Sequence, residues 1–282
     1  MNVFLPRTVS EACEMLSRAE APVPIAGGTD LFVHWPQKSQ RRESTADSKM
    51  AFVDLSGLGE LRAHRWTQKS LVLGALTTYW DLIQDPSIQA ELPLLHSAAR
   101  QVGAVQIQTR GTWAGNIMNA SPAADGVAVL MAYDARLVLR SVRGTEELPL
   151  SDFYLGYKVM RRRPDQLLTE IHIPRERLDF QLFEKVGSRA AQAITKVGLA
   201  ITRQENSWRV VTNSVAPTVC RCPALELFLA SGSSVQHPED LLEPVRSDIS
   251  PIDDLRSSAE YRETVLTRLL YFGLKDECSS FA

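Results

Sequence analysis

The pattern of apolar and polar positions predicts short helices and strands in alternation along most of the chain. Apolar residues recur at helical spacing over residues 7–20, where Thr8 or Ser10 is the candidate cap, and Pro22-Val23-Pro24 ends that helix. β-Branched runs between turn residues predict strands at residues 25–26, 51–55, 70–75, 136–140 and 167–173. Further helices are predicted at residues 77–84, 93–103 and 127–132. Thr78 is the candidate cap of the first of these.

Beyond residue 181 the pattern changes, which predicts a second domain. Arginine, proline and acidic residues cluster between Arg161 and Gln181, so we place the domain boundary in that stretch. The order after it is strand, strand, then helices, over residues 182–186, 190–202, 208–214, 223–230 and 261–272. Such an order is typical of an α+β tail, here of about a hundred residues. Nearer the N-terminus, residues 31–35 predict a short helix or strand and residues 37–49 a polar, exposed loop.

Composition is that of an ordinary globular protein. The 282 residues are 44% hydrophobic and 23% charged, and the net charge is −2. A net charge this close to zero gives no reason to expect binding to nucleic acid or to an anionic membrane surface. No apolar run approaches the roughly 18–20 residues that a membrane span needs, and residues 1–7 lack the pattern of a signal peptide. We therefore expect a cytoplasmic protein.

The side chains that usually carry catalysis or bind metals show no site-forming pattern. The four cysteines are scattered, and Cys220 and Cys222, although close in sequence, have no second pair or nearby histidine. A structural zinc site needs four ligands, so we interpret the cysteines as structural or incidental and expect no metal or iron–sulfur site. The five histidines are dispersed, and no residue stands out as a nucleophile.

Two glycine-rich stretches are the most informative feature of the sequence. The first glycine turn runs from Pro24 to Leu31 and includes Asp30; the second glycine motif runs from Gly111 to Ile117 and is followed by Asp125. Glycine lets backbone N–H groups approach an anion closely, with no side chain in the way. One such turn is weak evidence, but two together suggest a long anionic ligand held at both ends of its diphosphate.

With these segments in view, the chain resembles the FAD-binding medium subunit of the molybdenum hydroxylases. This family includes the flavoproteins of carbon monoxide dehydrogenase and of bacterial xanthine dehydrogenase. The similarity extends over nearly the whole length, in six blocks whose order and spacing match the family. The blocks lie at residues 26–31, 73–78, 115–125, 167–174, 184–189 and 194–197.

The resemblance implies an α+β fold in two domains. The first is a two-part FAD-binding domain of the vanillyl-alcohol-oxidase/PCMH type at residues 1–170, with subdomains at about 1–55 and 56–170. The second, at residues 171–282, is a C-terminal flavoprotein domain with a small antiparallel sheet and helices.

The resemblance also implies which residues hold the flavin. Backbone N–H groups of residues 25–30 would bind the diphosphate with the Thr29 hydroxyl as a further donor, and a second turn at residues 112–116 would close on the other side of the ligand. Asn119 and Asp125 match positions that face the ribityl or ribose hydroxyls. Three further positions border the isoalloxazine ring, where Ile194 would pack on the ring and Lys185 would lie near its exposed edge. The implied flavin-binding residues are Ile25, Ala26, Gly27, Gly28, Thr29, Asp30, Leu31, Thr112, Gly115, Asn116, Asn119, Asp125, Leu168, Lys185 and Ile194.

One departure from the family lies in the second glycine motif. The family has two adjacent glycines before the asparagine, with a β-branched residue or leucine ahead of them, and this chain has Trp113 and Ala114 instead. If the backbone of Ala114 needs a positive φ, its methyl group costs about 1 kcal/mol of strain. Trp113 either packs inward or alters the flavin pocket. Asp125, which follows Ser121-Pro122, is also a candidate helix N-cap.

The implied function is electron transfer in a heteromeric enzyme. In the family a large subunit holds the molybdenum cofactor, a small subunit carries two [2Fe–2S] clusters, and a chain of this type holds FAD. Electrons leave to an acceptor such as NAD, a quinone or O₂. Residues 185–196 resemble the purine-oxidising branch, so xanthine or another N-heteroaromatic is the expected substrate class. Aldehydes, carbon monoxide and aromatic thioesters remain open because the substrate pocket belongs to another chain.

Two other functions remain open on the sequence. A stand-alone flavin oxidoreductase of the related fold often tethers FAD through a histidine or cysteine beside the first glycine turn. Here no histidine lies between Pro24 and Asp30, and His34 follows the turn. A scaffold or regulatory subunit that has lost its flavin would have Trp113 and Ala114 as the lesion.

Overall fold

A computed structural model of the chain describes residues 2–18, 22–33, 51–278 and 280–281. The predicted loop at 37–49, the end of the element predicted at 31–35, including His34, and the end of the helix predicted at 7–20 lie outside the described residues. The described part contains a parallel sheet, two antiparallel sheets and a separate hairpin.

The N-terminal unit is a parallel sheet with one helix. Strands β1 (Asn2–Phe4) and β2 (Val23–Ile25) flank β3 (Ala51–Asp54). Helix α1 (Val9–Leu16) begins at Thr8, whose side chain accepts a hydrogen bond from the backbone N–H of Glu11, so the predicted cap is confirmed. The apolar face of α1 is buried, as the helical spacing predicts.

The second unit is built on a five-stranded antiparallel sheet of order β4-β5-β10-β6-β7. Its central strand, β10, has Ile171 opposite Leu73 on one side and Leu137 on the other, and all three side chains are fully buried. A hairpin of β8 (Tyr154–Gly156) and β9 (Val159–Met160) stands apart from this sheet. The sheet strands are β4 (His64–Trp66), β5 (Ser70–Gly74), β6 (Arg136–Ser141), β7 (Gly144–Pro149) and β10 (Leu167–Pro174).

Six short helices connect and cover this sheet. They are α2 (Tyr79–Ile83), α3 (Pro86–Glu91), α4 (Pro93–Gln101), α5 (Val105–Gln108), α6 (Trp113–Asn119) and α7 (Asp125–Ala132). All eight residues of α7 are buried, which confirms the buried helix predicted from its continuous apolar run. Helix α7 also packs against strands of the C-terminal sheet and so joins the two halves of the chain.

The C-terminal unit is a four-stranded antiparallel sheet covered by helices. Its strands follow the order β11 (Phe180–Val186), β12 (Val197–Gln204), β13 (Ser207–Asn213) and β14 (Cys220–Arg221). The helices are α8 (Pro223–Ala230), α9 (Leu242–Asp248) and α10 (Ala259–Leu274). The element predicted at 190–202 begins only at Val197, because the preceding residues form a loop. A second core lies between β12 and α10, with Leu199, Ile201 and Leu266 fully buried.

The strand β10 runs to Pro174, so the boundary expected after residue 170 falls inside it. All of β10 pairs within the first antiparallel sheet, and the next strand, β11, belongs to the second. The chain therefore passes between the two sheets after Pro174. No helix among the described residues is long and apolar enough to cross a membrane.

A capping box fixes the start of α2 and gives a first test of the fold. The Thr78 hydroxyl accepts from the N–H of Asp81 at 3.1 Å, and the Asp81 carboxylate accepts from the N–H of Thr78 at 2.7 Å. We expect Thr78→Ala to lower the free energy of unfolding by about 1 kcal/mol because the N–H of Asp81 loses its acceptor. Thr78→Ser, which keeps the hydroxyl, should retain most of the stability in urea denaturation. Equal losses in the two variants would contradict the capping role.

Candidate flavin-binding site

The first glycine turn begins where β2 ends. The Ile25 carbonyl accepts from the N–H of Leu55 at 2.9 Å, and the carbonyl of Gly28 accepts from the N–H of Phe32 at 3.0 Å. Gly28 has a φ of +72°, a conformation that glycine adopts without strain. The backbone N–H groups of residues 26–31 donate to no group in the described part of the chain. Several N–H groups in one turn are therefore available for an anion.

Both glycines of this turn are required by close neighbours. A Cβ atom on Gly27 would lie 1.8 Å from the carbonyl oxygen of Arg110, and one on Gly28 would lie 2.5 Å from the ring of Phe32. A Cβ on Gly111 would lie 3.4 Å from the Thr29 hydroxyl. The first glycine turn thus packs directly against the start of the second glycine motif, although eighty or so residues separate them along the chain.

The second glycine motif is a helix, so the turn predicted at residues 112–116 is wrong. Thr112 is the N-cap of α6, and its hydroxyl accepts from the N–H of Gly115 at 2.9 Å. The local reason is that Thr112 supplies a strong cap, which lets the glycine sit inside the first turn of a helix. Ala114 is helical and has no positive φ, so the departure from the family carries no backbone strain.

Trp113 packs inward. Its side chain is fully buried, and its ring centroid lies 4.8 Å from that of Tyr79. A Cβ on Gly126 would lie 3.3 Å from the Trp113 ring, so this glycine of α7 leaves the room that the indole occupies. Trp113 therefore packs in the hydrophobic core and does not occupy the surface of the second glycine motif.

Three buried polar atoms around α6 have no hydrogen-bond partner within the described residues: Asn116 Oδ1, the Tyr79 hydroxyl and Trp113 Nε1. A Cβ on Gly126 would lie 2.8 Å from Asn116 Oδ1 and 3.3 Å from the Tyr79 oxygen. Burial raises the pKa of Tyr79 far above its usual value, and the negative charge of Asp125 adds to the effect. Tyr79 therefore keeps its proton, and the side chain stays a neutral donor.

Asn119 is held by the β8–β9 hairpin. Lys158, in the turn of that hairpin, donates to the backbone oxygen of Asn119 at 3.0 Å and to its Oδ1 at 3.2 Å. The hydroxyl of Tyr154 donates to the carbonyl of Ile117 at 3.0 Å. These contacts attach the hairpin to the C-terminal end of α6.

Asp125 is the centre of a buried polar cluster that joins the two halves of the chain. Its Oδ2 accepts from Lys185 at 2.7 Å, and its Oδ1 accepts from Thr195 at 2.6 Å and from Asn213 at 3.0 Å. Lys185 also donates to the carbonyl of Gln101 at 3.0 Å. We call Asp125, Lys185, Thr195 and Asn213 the Asp125 cluster. Its carboxylate comes from α7, and its three donors come from the C-terminal unit.

The Asp125 cluster corrects one expectation and shows where Lys185 lies. The side chains of Asp125 and Lys185 are each 7% exposed, so the Lys185 ammonium is buried against Asp125. Asp125 is the first residue of α7, and the N-cap is Ala124, so the N-cap interpretation of Asp125 is wrong. Because both carboxylate oxygens accept hydrogen bonds from the protein, the aspartate is already satisfied. A negative charge in the first helical turn also interacts favourably with the helix dipole.

The remaining predicted residues differ in their exposure. Leu168, in β10, is 2% exposed and belongs to the hydrophobic core, whereas Ile194 is 58% exposed. Ile194 directly precedes Thr195, whose hydroxyl binds Asp125, so its position depends on the Asp125 cluster. Of the three ring-bordering positions, Ile194 is the one that presents a free apolar side chain.

Asn213 and Tyr79 belong to the site region but were missed from the sequence. Asn213 lies 88 residues from Asp125 along the chain, so no local pattern reveals the pair. Gly198 gives one usable signal, because a Cβ there would lie 2.2 Å from Asn213 Oδ1. Tyr79 follows the cap Thr78, and the local sequence predicts only a buried core residue of α2 at that position.

The arrangement is suited to binding rather than to acid–base chemistry. It offers free backbone donors, a threonine hydroxyl at Thr29 and an exposed apolar side chain at Ile194. Among the described residues no group of three or more histidine, cysteine or acidic side chains could hold a metal ion. The free backbone N–H groups of the first glycine turn suit the diphosphate of a cofactor.

Comparison with known proteins identifies the family. Residues 1–176 match the family described as FAD binding domain in molybdopterin dehydrogenase, and residues 183–276 match the CO dehydrogenase flavoprotein C-terminal domain. The chain belongs to this family of FAD-binding medium subunits, and it is a flavoprotein subunit of an oxidoreductase. The family predicted from the six blocks is confirmed.

Relatives agree over most of the chain. It is 30% identical over 265 residues to the putative xanthine dehydrogenase FAD-binding subunit of Escherichia coli K12, across 90% of this chain and 88% of the relative. It is 34% identical over 201 residues to the nicotinate dehydrogenase FAD-subunit of Eubacterium barkeri, across 69% and 66%. The structure is similar to that of carbon monoxide dehydrogenase from Hydrogenophaga pseudoflava, with a TM-score of 0.83, 25% identity and coverage of 96% of this chain and 94% of that one. The predicted α+β fold is confirmed.

The Asp125 cluster yields a stability test. Asp125→Asn should lower the free energy of unfolding by about 3 kcal/mol, because it leaves the buried ammonium of Lys185 without its counter-charge. Adding Lys185→Met should recover part of that loss, since the double variant has no unpaired charge. A matched control is Glu91→Gln, which breaks the exposed pair with Arg175 and should cost about 1 kcal/mol or less. An Asp125→Asn loss no greater than the control would contradict the role of the cluster.

Proposed function

We propose that this chain is the FAD-carrying electron-transfer subunit of a heteromeric molybdenum hydroxylase. It would take electrons from a [2Fe–2S] subunit and pass them to an external acceptor. The observation that supports this most directly is the first glycine turn, whose free N–H groups lie in a family-defining FAD-binding domain. A subunit of this kind needs to hold and orient its cofactor, and it needs no acid–base pair of its own.

The first glycine turn would hold the diphosphate of FAD. The N–H groups of residues 26–30 are the proposed donors, together with the Thr29 hydroxyl, which lies beside Gly111, and Ile25 holds the start of the turn through its pairing with β3. Leu31 ends the turn, and Asp30 is exposed there. Bound flavin would supply the redox chemistry, because it exchanges both single electrons and hydride equivalents. The chain would supply the anion cradle and the orientation of the ring.

Helix α6 would border the other side of the cofactor. Asn116 carries a buried Oδ1 without a partner in the described chain, which suits a sugar or ribityl hydroxyl. Asn119 lies one turn further along α6, and Thr112 and Gly115 form the start of the helix. Ile194 is the proposed apolar contact for the isoalloxazine ring.

Asp125, Lys185 and Leu168 would support the site without contacting the cofactor directly. Their burial supports a role in holding α7, β11 and β10 in place around the site. Lys185 in particular would fix Asp125, which in turn holds Thr195 next to Ile194. This proposal differs from the expectation that Leu168 and Lys185 border the isoalloxazine ring and that Asp125 faces the sugar hydroxyls.

The proposed partners are a large molybdenum-cofactor subunit and a small [2Fe–2S] subunit. Two of the proteins compared above are FAD subunits of nicotinate dehydrogenase and of a putative xanthine dehydrogenase, and this supports an N-heteroaromatic substrate for the complex. NAD, a quinone and O₂ stay as alternative acceptors. A flavin-free scaffold is less well supported, because Trp113 and Ala114 fit their places without positive φ. A stand-alone flavin oxidoreductase is disfavoured by the absence of an acid–base set in the described site.

Substitution in the first glycine turn tests the proposal. We expect Gly28→Ala to lower the FAD affinity of the purified full chain by about tenfold or more, because alanine is strained at the positive φ and its methyl would strike Phe32. Gly57→Ala is the matched control, since a Cβ there meets nothing within 4 Å. Both affinities can be measured by the quenching of flavin fluorescence on titration with the apoprotein.

A folded Gly28→Ala variant that binds FAD as tightly as Gly57→Ala would contradict the assignment of the diphosphate to this turn. Circular dichroism of both variants separates lost binding from lost folding. Thr29→Val provides a milder second probe, because it removes the hydroxyl and keeps the shape of the side chain.

A further inference from the structure

Two thiols converge on one hydroxyl at the edge of the C-terminal sheet. The Thr212 oxygen, on β13, lies 3.6 Å from the sulfur of Cys220 and 3.5 Å from the sulfur of Cys222. Cys220 pairs with Thr212 across β13 and β14, and Cys222 is the N-cap of α8. Residues two apart on an extended strand point to the same face, which explains why both sulfurs reach the same neighbour.

The two thiols are unequal. Cys222 is 1% exposed, whereas Cys220 is partly exposed, and all four cysteines are free. The neighbouring Cys222 thiol lowers the pKa of Cys220, whereas the Cys220 thiol and burial together raise the pKa of Cys222. The nearby carboxylate of Asp248 opposes ionisation of both, but it is bound by the N–H groups of Ala224 and Leu225 at the start of α8. Cys220 is therefore the thiol that ionises at the lower pH and that is more accessible to solvent.

We propose that Cys220 and Cys222 form a peroxide-reactive dithiol, in which Cys220 is the attacking thiol and Cys222 the resolving one. The Cys220 thiolate attacks one oxygen of hydrogen peroxide, the O–O bond breaks, and hydroxide leaves, so that Cys220 becomes a sulfenic acid. The Cys222 sulfur then attacks the Cys220 sulfur, the S–O bond breaks, and water leaves with the Cys222 proton. The dithiol loses two electrons, and one peroxide is reduced to two waters.

The spacing of the two residues favours a reversible bond. Two residues along a strand separate the Cα atoms by about 6.6 Å, which is near the upper end of the range for disulfides. A disulfide with strained geometry is more easily reduced, which is typical of labile rather than structural disulfides. The edge strand β14 pairs over two positions with β13, and the N–H of Cys222 donates to the Val210 carbonyl at 2.8 Å. An edge strand attached over so short a length can adjust when the bond forms.

The other two cysteines differ in environment and act as internal controls. Burial raises the pKa of the Cys13 thiol and of the Cys278 thiol. Cys13 donates to the carbonyl of Arg140 at 3.6 Å rather than to another sulfur. Both should react more slowly with peroxide than Cys220, since the thiolate is the reactive form.

The test is peroxide treatment of the full chain followed by peptide mass spectrometry. We expect the peptide with Cys220 and Cys222 to lose about 2 Da, corresponding to two hydrogens, and to recover them with dithiothreitol. Cys222→Ser should instead accumulate a sulfenic acid on Cys220 that dimedone traps. Cys220→Ser should leave Cys222 unoxidised under the same conditions, and Cys278→Ser should react as the unmodified chain does.

Oxidation of Cys13 or Cys278 as fast as Cys220 would overturn the proposal. So would a Cys220 sulfenic acid that persists in the unmodified chain without forming the bond to Cys222. If Cys220→Ser fails to fold, the rate of alkylation by iodoacetamide in the unmodified chain tests the proposal instead. We then expect Cys220 to be labelled about tenfold faster than Cys278 at pH 7.

Discussion

The carboxylate of Asp125 makes the contact on which the assembly of the two halves depends. It lies at the start of the buried helix α7 and binds three donors from the C-terminal unit, at 2.6–3.0 Å. A buried carboxylate is unfavourable unless it is paired and hydrogen-bonded, so these partners and the aspartate require one another. Since Thr195 directly follows Ile194, the same contact also sets the position of the exposed apolar residue beside the site.

Glycines in and beside the two motifs allow the close packing around the site. Gly27 of the first glycine turn has no room for a side chain because of the Arg110 carbonyl, and Gly126 of α7 leaves room for Trp113 and Asn116. Close packing between the first glycine turn and the second glycine motif fixes the free N–H groups relative to α6. Backbone N–H groups bind an anion well only when the loop is held in place in this way, because they cannot reorient independently as flexible side chains can.

Local signals explain what the sequence predicts well. The cap at Thr78 and the continuous apolar run of α7 each depend on neighbouring residues, and both appear in the structure. The sequence predicts a turn at residues 112–116, where the structure has a helix start, because glycine near threonine suits both a turn and a capped helix start. The partners of Asp125 lie 60, 70 and 88 residues away, so they follow from the fold rather than from any short pattern. The resemblance marked Asp125 and Lys185 as important, and packing shows that they bind each other.

In the function proposed above, backbone N–H groups of the first glycine turn hold the diphosphate of FAD. The most direct measurement is the ¹H–¹⁵N spectrum of the full chain during titration with FAD and, separately, with riboflavin, which has no phosphate. We expect the Gly27, Gly28 and Thr29 amide resonances to shift with FAD and to stay in place with riboflavin. Unchanged resonances with FAD, or equal shifts with both compounds, would contradict this proposal.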